Sequence, residues 1–273
     1  MLQKEWSYKK YEKNIGRVVS LDDPIFKPEN AAIGFWLPLD FIDNIGGGIF
    51  FLEEYDEEKI PVLFVHGASG SASEWKKVID SMDRERFQPW LLYYPSGIRL
   101  DLISTYMIEA SVTLQNRHNI KQVYIVAHSM GGLVARSYMM KQAESKNQVK
   151  IALSMTINSP MKGMKSAKSG VKHSPIVVPS WRDVAADSEF IQKITAWNLP
   201  EDIPYHLVFS YESGKDGDGV VSMESQIPVY LQEEAEKTYG FNSGHASVLQ
   251  DEKFIARFNT ILEETFNKNV ASD

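Results

Sequence analysis

The chain predicts an α/β fold, a mainly parallel sheet with helices on both faces, and three observations carry that expectation. Short apolar runs of strand length alternate with longer segments whose apolar residues recur every three or four positions. Runs such as "PVLFV" and "VYIVA" are apolar without a break, as strands covered on both faces must be. The 273 residues suffice for one large core, and 43% apolar against 24% charged is an ordinary globular balance.

The elements follow in order. Residues 1–47 are expected to form an N-terminal extension packed on the core, with "GGG" at 46–48 turning into the first strand. Residues 48–55 and 59–67 read as strands, and the spacing of Trp75, Val78, Ile79 and Met82 gives a helix over 71–82. Strand 89–97, helix 100–119, strand 122–129, helix 130–146 and strand 149–160 continue the alternation. Strand 204–213, a short strand near 236–241 and a closing helix over 251–266 complete it, leaving 267–273 as a tail. Alternating strands and helices imply right-handed crossovers, hence mainly parallel strands.

Residues 161–203 break the pattern. They are rich in Lys, Ser, Gly and Pro, then amphipathic through "WRDVAADSEFIQKITAW". An insertion of this length in a compact domain is usually functional, and it reads as a helical cap over a site. Within it Trp181, Ile176 and Val178 are candidate substrate-binding residues, part of an apolar set that also suits the packed underside of two cap helices. Lys162, Lys165, Lys168, Lys172 and Arg182 carry positive charge there with no acidic residue between 161 and 182. Two readings stay open: attraction to anionic headgroups or a membrane surface, and a simply solvated loop.

Composition removes several classes. The formal net charge of −7 argues against nucleic acid as a partner. The chain has no cysteine, which excludes disulfides, thiolate metal sites and cysteine nucleophiles. No apolar run is long enough to span a bilayer, and the polar start "MLQKEWSYKKYEKN" lacks the apolar centre of a signal peptide. A cytoplasmic chain and the mature part of an exported one both fit. Trp6, Tyr8 and Tyr11 among lysines suit an anchor, a dimer contact or a tail equally.

"VAHSMGG" (126–132) lies between a strand and a helix. It fits the nucleophile-elbow pattern, small-x-Ser-x-Gly, with Ala127 at the position where glycine is commonest. A sharp strand-to-helix turn needs small residues two positions either side of Ser129, and it aims the hydroxyl outward. A serine hydroxyl needs a base. Of the six histidines, His245 in "NSGHASVLQ" lies on a loop after the last strand, where its imidazole can reach the elbow. His118 suits a helix end, His206 starts a strand, His128 faces the wrong way within the elbow, and His66 braces its own loop.

The imidazole needs a carboxylate to fix its tautomer. "SGKDGDGVVS" (213–222) offers Asp216 and Asp218, and Asp218, just before "GVV", is favoured at the strand's mouth with Val220 and Val221 turning inward. The Asp-Gly-Asp-Gly run echoes a calcium loop but lacks the later glutamate and flanking helices, so no metal is expected. Two backbone amides for an oxyanion are assigned to Met130, at the helix N-terminus, and Ala68, in the small-residue loop "HGASGS".

"PVLFVHGASGS", "VAHSMGGLVAR", "DGVV" and "GHASVL", in that order, resemble the α/β-hydrolase serine esterases and lipases, especially bacterial lipases and GPI inositol-deacylase-like hydrolases. The resemblance covers about residues 48–266. It implies an eight-stranded sheet with a helical cap, no cofactor, and cleavage of small-molecule or lipid-like carboxylic esters through an acyl-enzyme. The same residues also suit an amidase, a thioesterase or an acyltransferase. A non-catalytic binding protein of the same fold predicts a lost triad member. Oligomeric state is not legible.

Overall fold

The computed structural model describes residues 12–145 and 149–271, so Trp6, Tyr8 and Tyr11 lie outside the described residues. Eight strands form one sheet: β1 Arg17–Val18, β2 Gly48–Phe51, β3 Ile60–Val65, β4 Phe87–Tyr93, β5 Gln122–His128, β6 Lys150–Ile157, β7 Tyr205–Tyr211 and β8 Lys237–Asn242. Their spatial order is β1-β2-β4-β3-β5-β6-β7-β8. β2 pairs antiparallel with β4, and the remaining neighbours pair parallel. This is the mainly parallel α/β sheet that the alternation predicts.

Burial explains the apolar runs. Every residue of β3 and β4 is buried, because helices cover both faces. Helices of six residues or more are numbered here: α1 Pro28–Trp36, α2 Lys76–Ser81, α3 Leu100–His118, α4 Met130–Ala143, α5 Lys165–His173, α6 Glu189–Ala196, α7 Val229–Glu234 and α8 Glu252–Val270. On one face α3 and α4 pack Met107, Leu114, Leu133 and Tyr138 against Leu63 and Ile125. On the other, α2 and α8 pack Val78, Phe254 and Phe258 against Phe64 and Val126. The edge strand β8 alternates instead, and its exposed Lys237 suits an edge that must not template further pairing.

Local chemistry sets several boundaries. α3 stops where Asn119 takes a left-handed φ of 53°, which asparagine tolerates. The Asp251 carboxylate caps α8 by accepting from the amides of Lys253 and Phe254, and the helix runs on to Val270, beyond residue 266. The span 71–82 divides into a tight turn at Ala72–Trp75 and the shorter α2. The first 47 residues provide β1, α1 and a helical turn at Phe41–Ile45, with Phe41 fully buried.

The cap consists of α5, a single turn at Trp181–Val184, and α6. Phe190, Ile191 and Ile194 of α6 are buried in the core beside α4, so this part of the apolar set is a packed underside. Arg136 of α4 fastens the cap from below. Although buried, its guanidinium donates to the carbonyls of Ile194 and Trp197 and makes paired bonds of 2.7 and 2.9 Å to the Glu234 carboxylate. Such a fork satisfies a buried cation that is otherwise costly.

Candidate active site

The sheet's order reverses at β3, whose chain continues to β4 on one side while β5 lies on the other. A crevice opens beyond the strand ends at such a point. The loops after β3, β5, β7 and β8 meet there, carrying Ala68, Ser129, Asp218 and His245.

Ser129 occupies a sharp turn between β5 and α4, with φ 54° and ψ −130°. That region is strained for a residue with a side chain, and it persists only when the surroundings over-determine it. Here the Ser129 amide donates to the Ile157 carbonyl at 2.8 Å. The glycines behind it have a packing reason. A Cβ on Gly131 would stand 2.4 Å from the Val65 carbonyl oxygen, so only glycine lets α4 approach β3 this closely.

Ser129, His245 and Asp218 form one hydrogen-bonded chain. His245 Nε2 lies 2.8 Å from Ser129 Oγ, and Nδ1 lies 2.7 Å from Asp218 Oδ2. A carboxylate can only accept, so Nδ1 carries a proton, and Nε2 is the ring nitrogen that faces the serine hydroxyl. Asp218 is fully buried, and its other oxygen accepts from the amides of Val220 (2.9 Å) and Val221 (2.7 Å). Asp216 makes no bond to His245; it accepts from the Met223 amide at 3.2 Å. Val221 is buried as expected, whereas Val220 stays 55% exposed and borders the crevice.

The backbone of His245 is held as firmly as its ring. Its amide donates to the Asp218 carbonyl (3.1 Å), and its carbonyl accepts from His128 Nε2 and Asn158 Nδ2, both at 2.9 Å. His128 therefore faces the His245 backbone, and its ring is buried beneath the site. His66 does brace its loop. Its Nδ1 donates to the Gly67 carbonyl and its Nε2 accepts from the Tyr94 amide, while its ring stacks on Tyr94 at 4.2 Å. Burial pushes its pKa below the usual histidine value.

A cavity of about 340 Å³ opens over Ser129 and is bordered by Ala68, Met130 and His245. The Ser69 amide donates to Ser96 Oγ and the Gly70 amide to the Gly67 carbonyl, but the Ala68 amide meets no protein acceptor among the described residues. Met130 opens α4, where amides have no intrahelical partner and partial positive charge collects. A Cβ on Gly67 would come within 2.7 Å of Ser129 Cβ, so the two loops touch.

The cavity's cap side corrects part of the sequence reading. Trp181 lines it, with Met164, Ala167 and Val184. Ile176 and Val178 do not. Ile176 stands 70% exposed beyond the end of α5, and Val178 is buried away from the cavity as the chain turns back, its carbonyl accepting from the Trp181 amide. Phe35, at the end of α1, completes the wall and was not foreseen. Weak periodicity hid α1, and its packing against Gly97, where a Cβ would meet the Phe35 carbonyl oxygen at 2.0 Å, is a tertiary contact. The cap's basic run is partly neutralised, since Lys162 pairs with Glu224 at 2.7 Å and Lys168 with Asp187 at 2.9 Å. No cluster of residues able to hold a metal occurs among the described residues.

Comparison with solved structures gives the same fold at low identity. A mature lipase of Bacillus licheniformis superposes with TM-score 0.61 at 16% identity, over 78% of this chain and 97% of that one. A gene product of Listeria innocua gives 0.59 at 17% identity, over 75% and 94%. Aspergillus fumigatus lipase B gives 0.53 at 18% identity, over 71% of this chain and 50% of that one. No curated protein matches the sequence. Residues 99–242, just over half of the chain, match a family model that includes Ser129 and Asp218 and stops short of His245. The chain thus belongs to the family described as "Alpha/beta hydrolase of unknown function (DUF915)".

Proposed function

We propose that the protein is a serine esterase that cleaves carboxylic esters of apolar acids through an acyl-enzyme. The observation that carries this reading is the unbroken chain from Ser129 Oγ through His245 to buried Asp218, at 2.8 and 2.7 Å. In the proposed reaction His245 takes the serine proton as Oγ attacks the ester carbonyl. The amides of Ala68 and Met130 receive the oxyanion, each contributing about 2.7–4 kcal/mol to the barrier reduction. His245 then protonates the leaving alcohol. Water repeats the sequence and frees the acid.

The cavity supports an apolar acyl group. Phe35, Met164, Trp181 and Val184 border it, and its volume of about 340 Å³ suits a chain of modest length. A polar depression, bordered by Lys162, Lys165 and Asp216, shares Met164, Ser166 and Val220 with it and gives a leaving alcohol a wet exit. Two cap lysines are already ion-paired, which favours neutral esters over anionic lipids as substrates.

Hydrolysis of a p-nitrophenyl ester series of increasing chain length tests the proposal. Wild-type protein is expected to prefer short to medium chains with little dependence on salt. Ser129→Ala is expected to fall by at least about 10⁴-fold with its circular dichroism unchanged. Retained turnover in that variant overturns the reading.

A further inference from the structure

Beneath His245 lies a second polar constellation that the proposed chemistry does not use. His128 is 4% exposed, and its Nε2 sits 2.9 Å from the carbonyl oxygen of His245. A carbonyl cannot donate, so Nε2 must carry a proton. The other nitrogen, Nδ1, points at Glu74 Oε1 across 3.7 Å. Both of those atoms are buried, and neither meets a hydrogen-bond partner among the described residues.

If His128 were neutral, its Nδ1 lone pair would face a carboxylate oxygen 3.7 Å away. Two acceptors confined together in a buried site repel, and each loses its hydration without compensation. A second proton on the ring removes both penalties at once. Glu74, on the turn Ala72–Trp75, is the one carboxylate within 4 Å of His128 among the described residues. The other titratable groups facing His128 are His66, at the end of β3, and His245, whose ring lies 4.9 Å away with Asp218 behind it. Trp75 meets the ring edge-on at 6.3 Å.

We propose that His128 and Glu74 form a buried ion pair that, together with Asn158, positions His245. The pair turns the bond from Nε2 to the His245 carbonyl into a charge-assisted one, which is shorter and stronger than its neutral counterpart. Asn158 supplies the second bond to the same carbonyl, from a left-handed backbone (φ 50°) at the end of β6. The loop after β8 is thereby tied to the ends of β5 and β6, the strands that flank Ser129. His128 and Asn158 are positioning residues; neither touches the cavity.

This inference rests on the serine-esterase reading for its effect on turnover, but its protonation claim stands independently. Nitrogen-15 NMR of imidazole-labelled protein at pH 7 is expected to show His128 with protons on both ring nitrogens. Glu74→Gln is expected to remove the Nδ1 proton. In ester hydrolysis, His128→Phe is expected to lower kcat by about 10²-fold with KM unchanged, the scale of a small misplacement of a reacting group. His128→Gln, whose side-chain amide reaches the same carbonyl, is expected to restore most of it, and unfolding midpoints report whether either variant is merely unstable. A single ring proton in the wild type, with Nδ1 accepting from a bridging water, overturns the ion pair. Unchanged kcat in a folded His128→Phe protein overturns the positioning role. The NMR result requires no turnover, so failure of the esterase reading remains distinguishable from failure of this one.

Discussion

The fully buried carboxylate of Asp183 accepts from Arg99 Nε at 2.8 Å on one oxygen and from the Leu100 amide at 2.7 Å on the other. One cap residue therefore caps the N-terminus of α3 and pins the cap to the hydrolase core. Asp183→Ala leaves the Leu100 amide buried and unpaired, while half-exposed Arg99 can turn to water. The expected cost is about 1–3 kcal/mol in urea unfolding. Proteolysis is expected to cut first within residues 161–203. Asp183→Asn, which keeps an acceptor, costs less; wild-type stability in the alanine variant contradicts the account.

Arg136 and Glu234 make a stronger demand. Removing only the cation, as in Arg136→Leu, leaves the Glu234 carboxylate, 15% exposed, with the Leu199 amide but no counter-charge. Breaking one side of a buried pair typically costs about 3–5 kcal/mol. The double variant Arg136→Leu/Glu234→Leu is expected to recover part of that loss. A double-mutant cycle with no coupling between the two positions contradicts the assignment.

His206, 3% exposed on β7, gives a pH signature. Burial lowers its pKa from 6.5 to about 4, so the folded protein resists charging a ring that the unfolded chain protonates readily. Between those two values the unfolded state binds more protons, and stability falls as pH is lowered. Above pH 6.5 the group contributes nothing, and below pH 4 its full penalty of about 3 kcal/mol applies, at about 1.4 kcal/mol per pKa unit. The stability difference between wild type and His206→Phe is expected to shift by about that amount from pH 7 to pH 4, to the wild type's disadvantage. A difference independent of pH contradicts it.

Much of the candidate site's geometry was legible because its parts are local. Ser129 sits in a five-residue pattern bound to one turn geometry, and Asp218 and His245 each follow a strand in short glycine-bearing loops. The structure brings all three within hydrogen-bond distance. The cap was harder. Ile176, Val178 and Trp181 look alike in sequence, yet one faces water, one the interior and one the cavity, because only tertiary packing separates those fates. His128 was placed facing away from the chemistry. It does face away from the cavity, but what lies on that side, the His245 carbonyl, comes from more than a hundred residues downstream. The contribution of Phe35 depends likewise on Gly34 and Gly97 meeting through a 2.9 Å backbone bond that no periodicity announces.

The most direct test is to treat the protein with a fluorophosphonate and locate the adduct by peptide mass spectrometry. A serine whose hydroxyl is deprotonated by a carboxylate-oriented imidazole should be labelled at residue 129 alone, and His245→Ala should suppress the labelling without unfolding the chain. Labelling elsewhere, or undiminished labelling of Ser129 once the imidazole is gone, would contradict the account.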